Sequence, residues 1–273
     1  MAVVSKRFAE RAKSALRRYQ RILESARARD VNESDTCVII SDFMADVLGY
    51  DKYHEITTEF AIRSTFCDLA VKVDGKIRYL IEVKAIGTEL KENHLRQALD
   101  YAANQGVQWV ILTNGVVWQA HRMRFEQPVA NDQVFSVDLL DASAKFTTLI
   151  EVLYLISREA PGDSAITSFW GKKEATSRYV VAQALTSPDV VRAVRRLLRA
   201  VSPGIRVRDE EVEAVIRDEV LKRDAIEGER AEAAARILRR VIRRRERADH
   251  SALEAAPQMP AVASVATATN PSA

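Results

Sequence analysis

The sequence predicts an α/β module of about 140 residues, followed by a run of helices and a disordered tail. Three observations carry this expectation. Alternating, β-branched runs flank Asp74-Gly75 and Asn114-Gly115, dipeptides that favour hairpin turns. Segments with apolar residues at helical spacing stand before, between and after those runs. From about Lys145 the strand pattern gives way to helical periodicity. The expected layout is a basic N-terminal helix over residues 1–30, the α/β module over 31–142 and a helical region over 143–250. Residues 251–273 are Ala, Pro, Ser and Thr with hardly any charge, the composition of a disordered tail.

In chain order, residues 5–28 form a helix, with Phe8, Ala12, Ala15, Leu16, Tyr19, Ile22, Leu23 and Ala26 recurring at helical spacing and Arg and Lys opposite. Asn32 is placed as the N-cap of a second helix, with Asp35 where a capping box wants an acid and Gly49 as its stop. Residues 54–62 alternate as a strand, and the hairpin 65–84 follows. Lys91 to Asn104 is amphipathic, burying Leu95, Ala98, Leu99 and Ala102, with Gln97 and Tyr101 on a neighbouring stripe. A second strand pair surrounds Asn114-Gly115, and residues 134–140 add a last strand. Helices are expected over 146–157, from Ser187-Pro188 to Val201, around Val212, Ile216 and Val220, and up to Arg247; residues 163–176 are a loop or short helix.

Composition narrows the class. At 47% hydrophobic and 29% charged, the 273 residues suit a globular protein. No run reaches the ~18 apolar residues of a membrane span, and MAVVSKRFAERAK lacks a signal-peptide core, so a cytoplasmic protein is expected. Cys37 and Cys67 lack metal-ligand spacing and are expected to be reduced core residues. The net charge of +3 is unevenly spread: residues 1–30 hold nine Lys or Arg against three acids, and residues 236–247 hold seven Arg against one Glu. Each is either a solvated helix face or a contact surface for phosphate.

Chemistry concentrates in residues 66–84, FCDLAVKVDGKIRYLIEVK. Asp68, Glu82 and Lys84 interrupt two apolar runs, where an ionised group is costly unless paired or holding a metal. A plain two-residue Asp74-Gly75 turn would put Asp68 and Glu82 on opposite faces. A three-residue Val73-Asp74-Gly75 loop, with Gly75 as a bulge, shifts the register by one. Phe66, Asp68, Ala70 and Lys72 then share a face with Lys76, Arg78, Leu80, Glu82 and Lys84. The other face, Cys67, Leu69, Val71, Val73, Ile77, Tyr79, Ile81 and Val83, is wholly apolar. Register follows the hydrophobic pattern, so the bulged hairpin is expected. An Asp and a Glu on adjacent strands offer hard oxygens for Mg²⁺, and a nearby Lys can orient a nucleophile or stabilise charge on an attacked phosphate. An ordinary ion pair of Lys84 with either acid is the bland alternative.

The string CDLAV…YLIEVKA, with thirteen residues between Asp68 and Glu82, resembles the core of the PD-(D/E)XK nuclease superfamily. More widely, NESDTCVIISDFMADVLGYD, ITTEFAI and HLRQALDYAANQGVQWVILTNGVVWQAH resemble the N-terminal nuclease domain of type I restriction enzyme R subunits and stand-alone proteins similar to it, over roughly residues 30–140. The resemblance implies a restriction-endonuclease-like core, a mixed central β-sheet flanked by helices, with an α-helical C-terminal appendage. It also implies that Asp68 and Glu82 are metal-binding acids, Lys84 the catalytic lysine and Glu33 an acid completing the metal or water shell. Gln97 and Tyr101 match the Q-x-x-x-Y motif beside the site, and Glu59 an acid of the preceding strand. Cys67 stands where the superfamily name has Pro. R subunits continue into a helicase, but this sequence has no G-x-x-x-x-G-K-S/T, so ATP-driven translocation is not expected from it.

The expected function is therefore a Mg²⁺-dependent endonuclease acting on DNA, of restriction or DNA-processing type, working alone or beside separate restriction-system subunits. Arg17 and Arg18 of the first helix and Arg239, Arg240, Arg243 and Arg244 of the last are the expected phosphate contacts. The alternatives are a catalytically weak or silent module of the same fold that binds DNA or assembles with a separate helicase or methylase, and a protein adaptor built on the C-terminal helices.

Overall fold

The computed structural model describes the backbone of residues 3–62, 65–125, 130–201 and 203–254; the side chains of residues 59–62, 65–66, 97, 246 and 249–254 lie outside that description. The chain divides into two compact units, residues 1–172 and 173–273. The expected tail falls partly in the last helix, to Glu254, and otherwise outside the described residues.

The first unit is α/β. It begins with α1 (Lys6–Ala28), capped by Ser5, whose hydroxyl accepts from the Phe8 N–H at 3.2 Å, and α2 (Glu33–Phe43), capped by Asn32, whose side chain accepts from the Asp35 N–H at 2.9 Å. A π-helical turn over Met44–Leu48 leads to Gly49, left-handed at φ 82°. Strands β1 (Ile56–Ile62), β2 (Thr65–Val73) and β3 (Lys76–Val83) precede a 3₁₀ turn over Glu92–Leu95 and α3 (Arg96–Gln105). Then come β4 (Trp109–Thr113), β5 (Val117–Arg124), β6 (Ala130–Asp138), α4 (Phe146–Leu155) and α5 (Ser164–Ala175). The six strands form one sheet in sequence order, antiparallel throughout except that β3 and β4 run parallel. That single parallel pair requires a crossover, and α3 supplies it. The sheet is mixed and flanked by helices, as expected.

Two apolar layers hold the sheet. The larger joins α1, α2 and α4 to Leu69, Val71, Tyr79, Ile81, Val83, Trp109, Ile111 and Trp118. The basic first helix is thus a core element, with Phe8, Ala12 and Leu16 fully buried. The smaller layer packs α3 and the 3₁₀ turn before it, through Leu95, Ala98, Tyr101 and Ala102, on Ala70, Leu80, Val110 and Leu112.

The β2–β3 hairpin reaches the expected facing by another route. Val73 pairs with Lys76 across a two-residue turn in which Asp74 and Gly75 both take left-handed φ, 51° and 77°. The shift comes later: Lys72 pairs with Ile77 but Val71 with Tyr79, so Arg78 is the extra residue of a bulge within β3. The bulge sends Arg78 and Tyr79 to the same side. Arg78 is buried there, donating to the carbonyls of Ser157 (3.2 Å) and Gly162 (2.6 Å). It therefore leaves the polar face expected for it, and Ile77 moves to the α3 layer. Beyond the bulge, Ala70 pairs with Leu80 and Leu69 with Ile81, the register that puts Asp68 and Glu82 on one face. Cys67 also departs from expectation, packing in the α3 layer where its thiol donates to the carbonyls of Ile81 (3.3 Å) and Leu69 (3.4 Å).

The Asn114-Gly115 turn differs too. Asn114 does not take the left-handed φ of an Asn-Gly type I′ turn; Gly115, at φ 84°, and Val116 form its centre. Asn114 caps the turn through its side chain.

The second unit is helical: α6 (Arg178–Leu185), α7 (Pro188–Val201), α8 (Asp209–Val215) running into a π-helical turn over Ile216–Val220, α9 (Arg223–Ile226) and α10 (Glu229–Glu254). Helix α6 is not among the helices the sequence predicts; its eight residues are too few for periodicity to show, and only its Ser177 cap marks it. The start of α10 packs on α6, burying Ala231 and Ala234. No residue described between Arg239 and Ala248 is buried.

Candidate active site

The ladder between β2 and β3 ends at Leu69 and Ile81, and beyond it the strands part. Asp68 fills the gap. Its Oδ2 accepts the Val83 N–H at 2.7 Å, so a carboxylate replaces the backbone acceptor that a continued ladder would supply. Opposite it, Glu82 projects from β3, with a side chain 9% exposed. Lys84, just past the strand, is held by its backbone N–H on the Thr113 carbonyl at 2.9 Å.

The side chains then converge. Lys84 Nζ lies 2.9 Å from Glu82 Oε1 and 3.4 Å from Glu33 Oε2, and Glu33 sits in the first turn of α2. Glu33 is 49% exposed, against 19% for Lys84, so the cluster opens to solvent on the α2 side. Of the sequence-predicted residues, the structure brings Glu33, Asp68, Glu82 and Lys84 together.

Electrostatics perturb three of these groups, Asp68, Glu82 and Lys84. Burial pushes the Asp68 carboxyl above the usual range, and the charge of Glu33 adds to it, against the Val83 hydrogen bond and Lys84. Burial also raises Glu82, with the charges of Asp68 and Glu33 adding, and only Lys84 opposing. Burial alone would lower Lys84, yet the hydrogen bond to Glu82 and the charges of Glu82, Glu33 and Asp68 raise it above its ordinary value. Lys84 is accordingly an ammonium at neutral pH: it can donate hydrogen bonds and neutralise negative charge, but it is a poor base.

The donor set fits Mg²⁺ in kind. Asp68 and Glu82 offer hard oxygens, and their raised proton affinity is what a neighbouring divalent cation would relieve. Among the described residues, no three His, Cys, Asp or Glu side chains gather as a metal-holding group; Glu33 lies on Lys84.

The remaining expected residues divide. Tyr101 is 4% exposed in the α3 layer, its hydroxyl raised by burial and by Cys67. Cys67 is itself pushed to about 12 by burial and by the Glu82 charge, which leaves it a thiol. Gln97 lies on α3 and Glu59 on β1, but their side chains fall outside the described residues. Arg18 is paired with Asp46, which also accepts from the Tyr19 hydroxyl at 2.8 Å, and Arg17 lies 5.4 Å over the Phe146 ring. Arg239 donates to the Ala235 carbonyl; Arg240, Arg243 and Arg244 are exposed on α10.

Sequence reasoning missed Asn114 as more than a turn residue. Nothing in its Asn-Gly context distinguishes a tether from a hairpin signal. It also missed Arg78 as the bulge residue.

Residues 39–132 match the family model described as type I restriction enzyme R protein N terminus (HSDR_N), about a third of the chain. The matched stretch holds Asp68, Glu82, Lys84, Gln97 and Tyr101 and begins after Glu33. Comparison with curated proteins and with solved structures gives no match. Among the described residues, no helix is long and apolar enough to cross a membrane.

Proposed function

We propose that the α/β unit is a Mg²⁺-dependent endonuclease of the PD-(D/E)XK type, hydrolysing DNA phosphodiester bonds in a restriction or DNA-processing setting. The observation that carries this reading is the convergence of Glu33, Asp68, Glu82 and Lys84 where the hairpin parts, within a unit whose central stretch matches the R-protein N terminus.

Asp68 and Glu82 would hold the ion, with Glu33 acting through its contact with Lys84. Bound there, Mg²⁺ supplies Lewis acidity to a phosphate oxygen and makes water more acidic. Lys84, fixed by Glu82 and Glu33, offers its Nζ–H groups to the attacking water or to the phosphate oxygens as negative charge builds on them. Water adds to phosphorus, the bond to one sugar oxygen breaks, and that oxygen takes up a proton. Gln97 and Tyr101 on α3, with Glu59 on β1, support the site. Residues 1–273 carry no phosphate-binding loop of the ATPase type, so the hydrolysis proposed here needs no nucleotide chemistry from them.

The direct test is incubation of the purified protein with single-stranded, duplex and branched DNA. Cleavage should require Mg²⁺ and stop on addition of EDTA. Intact DNA in every form would favour the silent, DNA-binding or assembly module instead.

The exposed arginines of α10 supply sequence-independent phosphate contacts in this reading. Each phosphate neutralised on duplex DNA contributes about 0.9 to the slope of log K against log salt. Replacing Arg240, Arg243 and Arg244 together by Ala should therefore flatten that slope by up to roughly 2.7. Fluorescence anisotropy across a salt series reads it; an unchanged slope would remove α10 from the DNA interface.

A further inference from the structure

We propose that Asn114 is a positioning residue that keeps Lys84 against Glu33, by tying the chain segment after Lys84 to the β4–β5 turn. Its effect on cleavage rests on the nuclease reading; its effect on the segment does not.

Asn114 is 7% exposed and its side chain faces two ways. Oδ1 accepts the N–H groups of Val116 (3.0 Å) and Val117 (2.7 Å), which closes the turn. Nδ2 donates to the Thr88 carbonyl at 2.9 Å, 26 residues away in sequence. Two N–H groups on one end and a carbonyl on the other fix the amide orientation, because the flipped amide would lose all three bonds. The turn needs only the Oδ1 end. The Nδ2 end acts on the segment 84–88 alone.

That segment is pinned from both sides. Lys84 N–H donates to the Thr113 carbonyl at 2.9 Å, one residue before Asn114. Ile86, 2% exposed, donates its N–H to the Val31 carbonyl at 3.3 Å, two residues before Glu33. Thr88 N–H folds back on Ala85 at 2.9 Å, so the carbonyl that Asn114 holds belongs to the same tight turn. The β4–β5 turn is in turn seated against the helices: a Cβ at Gly115 would stand 3.2 Å from Leu23 of α1 and 3.7 Å from Thr36 of α2. Thr36, fully buried, donates its hydroxyl to the Asn32 carbonyl at 2.7 Å. One connected set of bonds thus runs from the N-terminus of α2, which carries Glu33, through segment 84–88 to Asn114. Asn114 is where the far end of the Lys84 segment is fixed. Holding a charged group in reacting geometry is what such a shell contributes to rate.

Two variants separate tether from turn. Asn114→Asp keeps an acceptor for Val116 and Val117 but sets a carboxylate oxygen against the Thr88 carbonyl. Asn114→Ala removes both ends. Hydrogen exchange followed by mass spectrometry should show peptides spanning 84–90 exchanging about tenfold faster in Asn114→Asp, with the rest of the sheet protected as in the wild type. At saturating DNA and Mg²⁺, kcat should fall about tenfold with KM little changed. Asn114→Ala should show the same losses and a lower Tm. Wild-type exchange and kcat in Asn114→Asp would reduce Asn114 to a turn cap and overturn the proposal, as would a loss confined to KM. If the wild-type protein cleaves nothing, the nuclease reading fails while the exchange data still decide the tether.

Discussion

Lys84→Ala should lose Mg²⁺-dependent cleavage by about 10²–10³-fold, the usual cost of removing one positioned donor aimed at developing negative charge. Its DNA affinity should stay within about threefold, since phosphate contacts elsewhere dominate binding. The geometry sets this expectation. Lys84 is an ammonium held by two carboxylates, it is largely shielded, and its own backbone is fixed on Thr113. Removal leaves Glu82 and Glu33 without the cation between them and the phosphate without its donor. Lys84→Arg should not restore the rate, because a planar guanidinium cannot occupy the position of a compact ammonium between Glu82 and Glu33. Single-turnover cleavage with anisotropy in parallel separates rate from binding. Near-wild-type cleavage by Lys84→Ala would return Lys84 to an ordinary ion pair.

Neutralising the acids should abolish cleavage and stabilise the fold, an inversion of the usual outcome of mutating a partly buried polar group. Both Asp68 and Glu82 are held above their ordinary values, first by burial and then by neighbouring carboxylates. An acid with a raised folded pKa favours folding in its protonated form. That contribution is complete below the unfolded pKa, 3.8 for Asp and 4.5 for Glu, and is lost as pH rises through the folded value. At neutral pH both charges therefore cost stability. Asp68→Asn is the cleaner variant, because its amide oxygen still accepts the Val83 N–H. Its Tm should exceed that of the wild type at pH 7, by about 2–4 °C for each kcal/mol gained, and the difference should vanish below about pH 4. Glu82→Gln should follow the same course with a smaller gain, because it gives up the ionic contact with Lys84. Thermal scans from pH 3.5 to pH 8 decide the matter; a Tm that falls in Asp68→Asn at pH 7 would show a carboxylate that stabilises the fold, not one kept under strain for a ligand.

Much of this architecture is legible in the sequence because it rests on local rules. The helices α1 and α2 announce themselves by periodicity and by the Asn32 cap, and both hairpins by their glycine turns. The facing of Asp68 and Glu82 is legible as well, since only one net register leaves the opposite face apolar. What periodicity cannot locate is where the shift occurs. Arg78 looks like a solvent-facing residue in an alternating strand, and only the carbonyls of Ser157 and Gly162, some eighty residues on, explain its burial. The same limit hides the surface pairing of Arg18 with Asp46 and the half-buried pairing of Arg11 with Glu159. A charge count sees arginines. It does not see which of them already have partners.

The bulge at Arg78 carries one more consequence, and it is a matter of parity. Across a two-residue turn, residues that face each other in an unbroken antiparallel ladder enclose an even number of residues. Asp68 and Glu82 enclose thirteen. An odd count cannot be met by a plain ladder, so the hairpin must spend one residue out of step somewhere between the two acids, and here that residue is Arg78. Given the two-residue Asp74-Gly75 turn, the spacing of the acids thus requires an irregularity in the ladder. It also means that a single-residue insertion or deletion between them would exchange the faces of everything beyond it, whereas a change by two would keep Asp68 opposite Glu82.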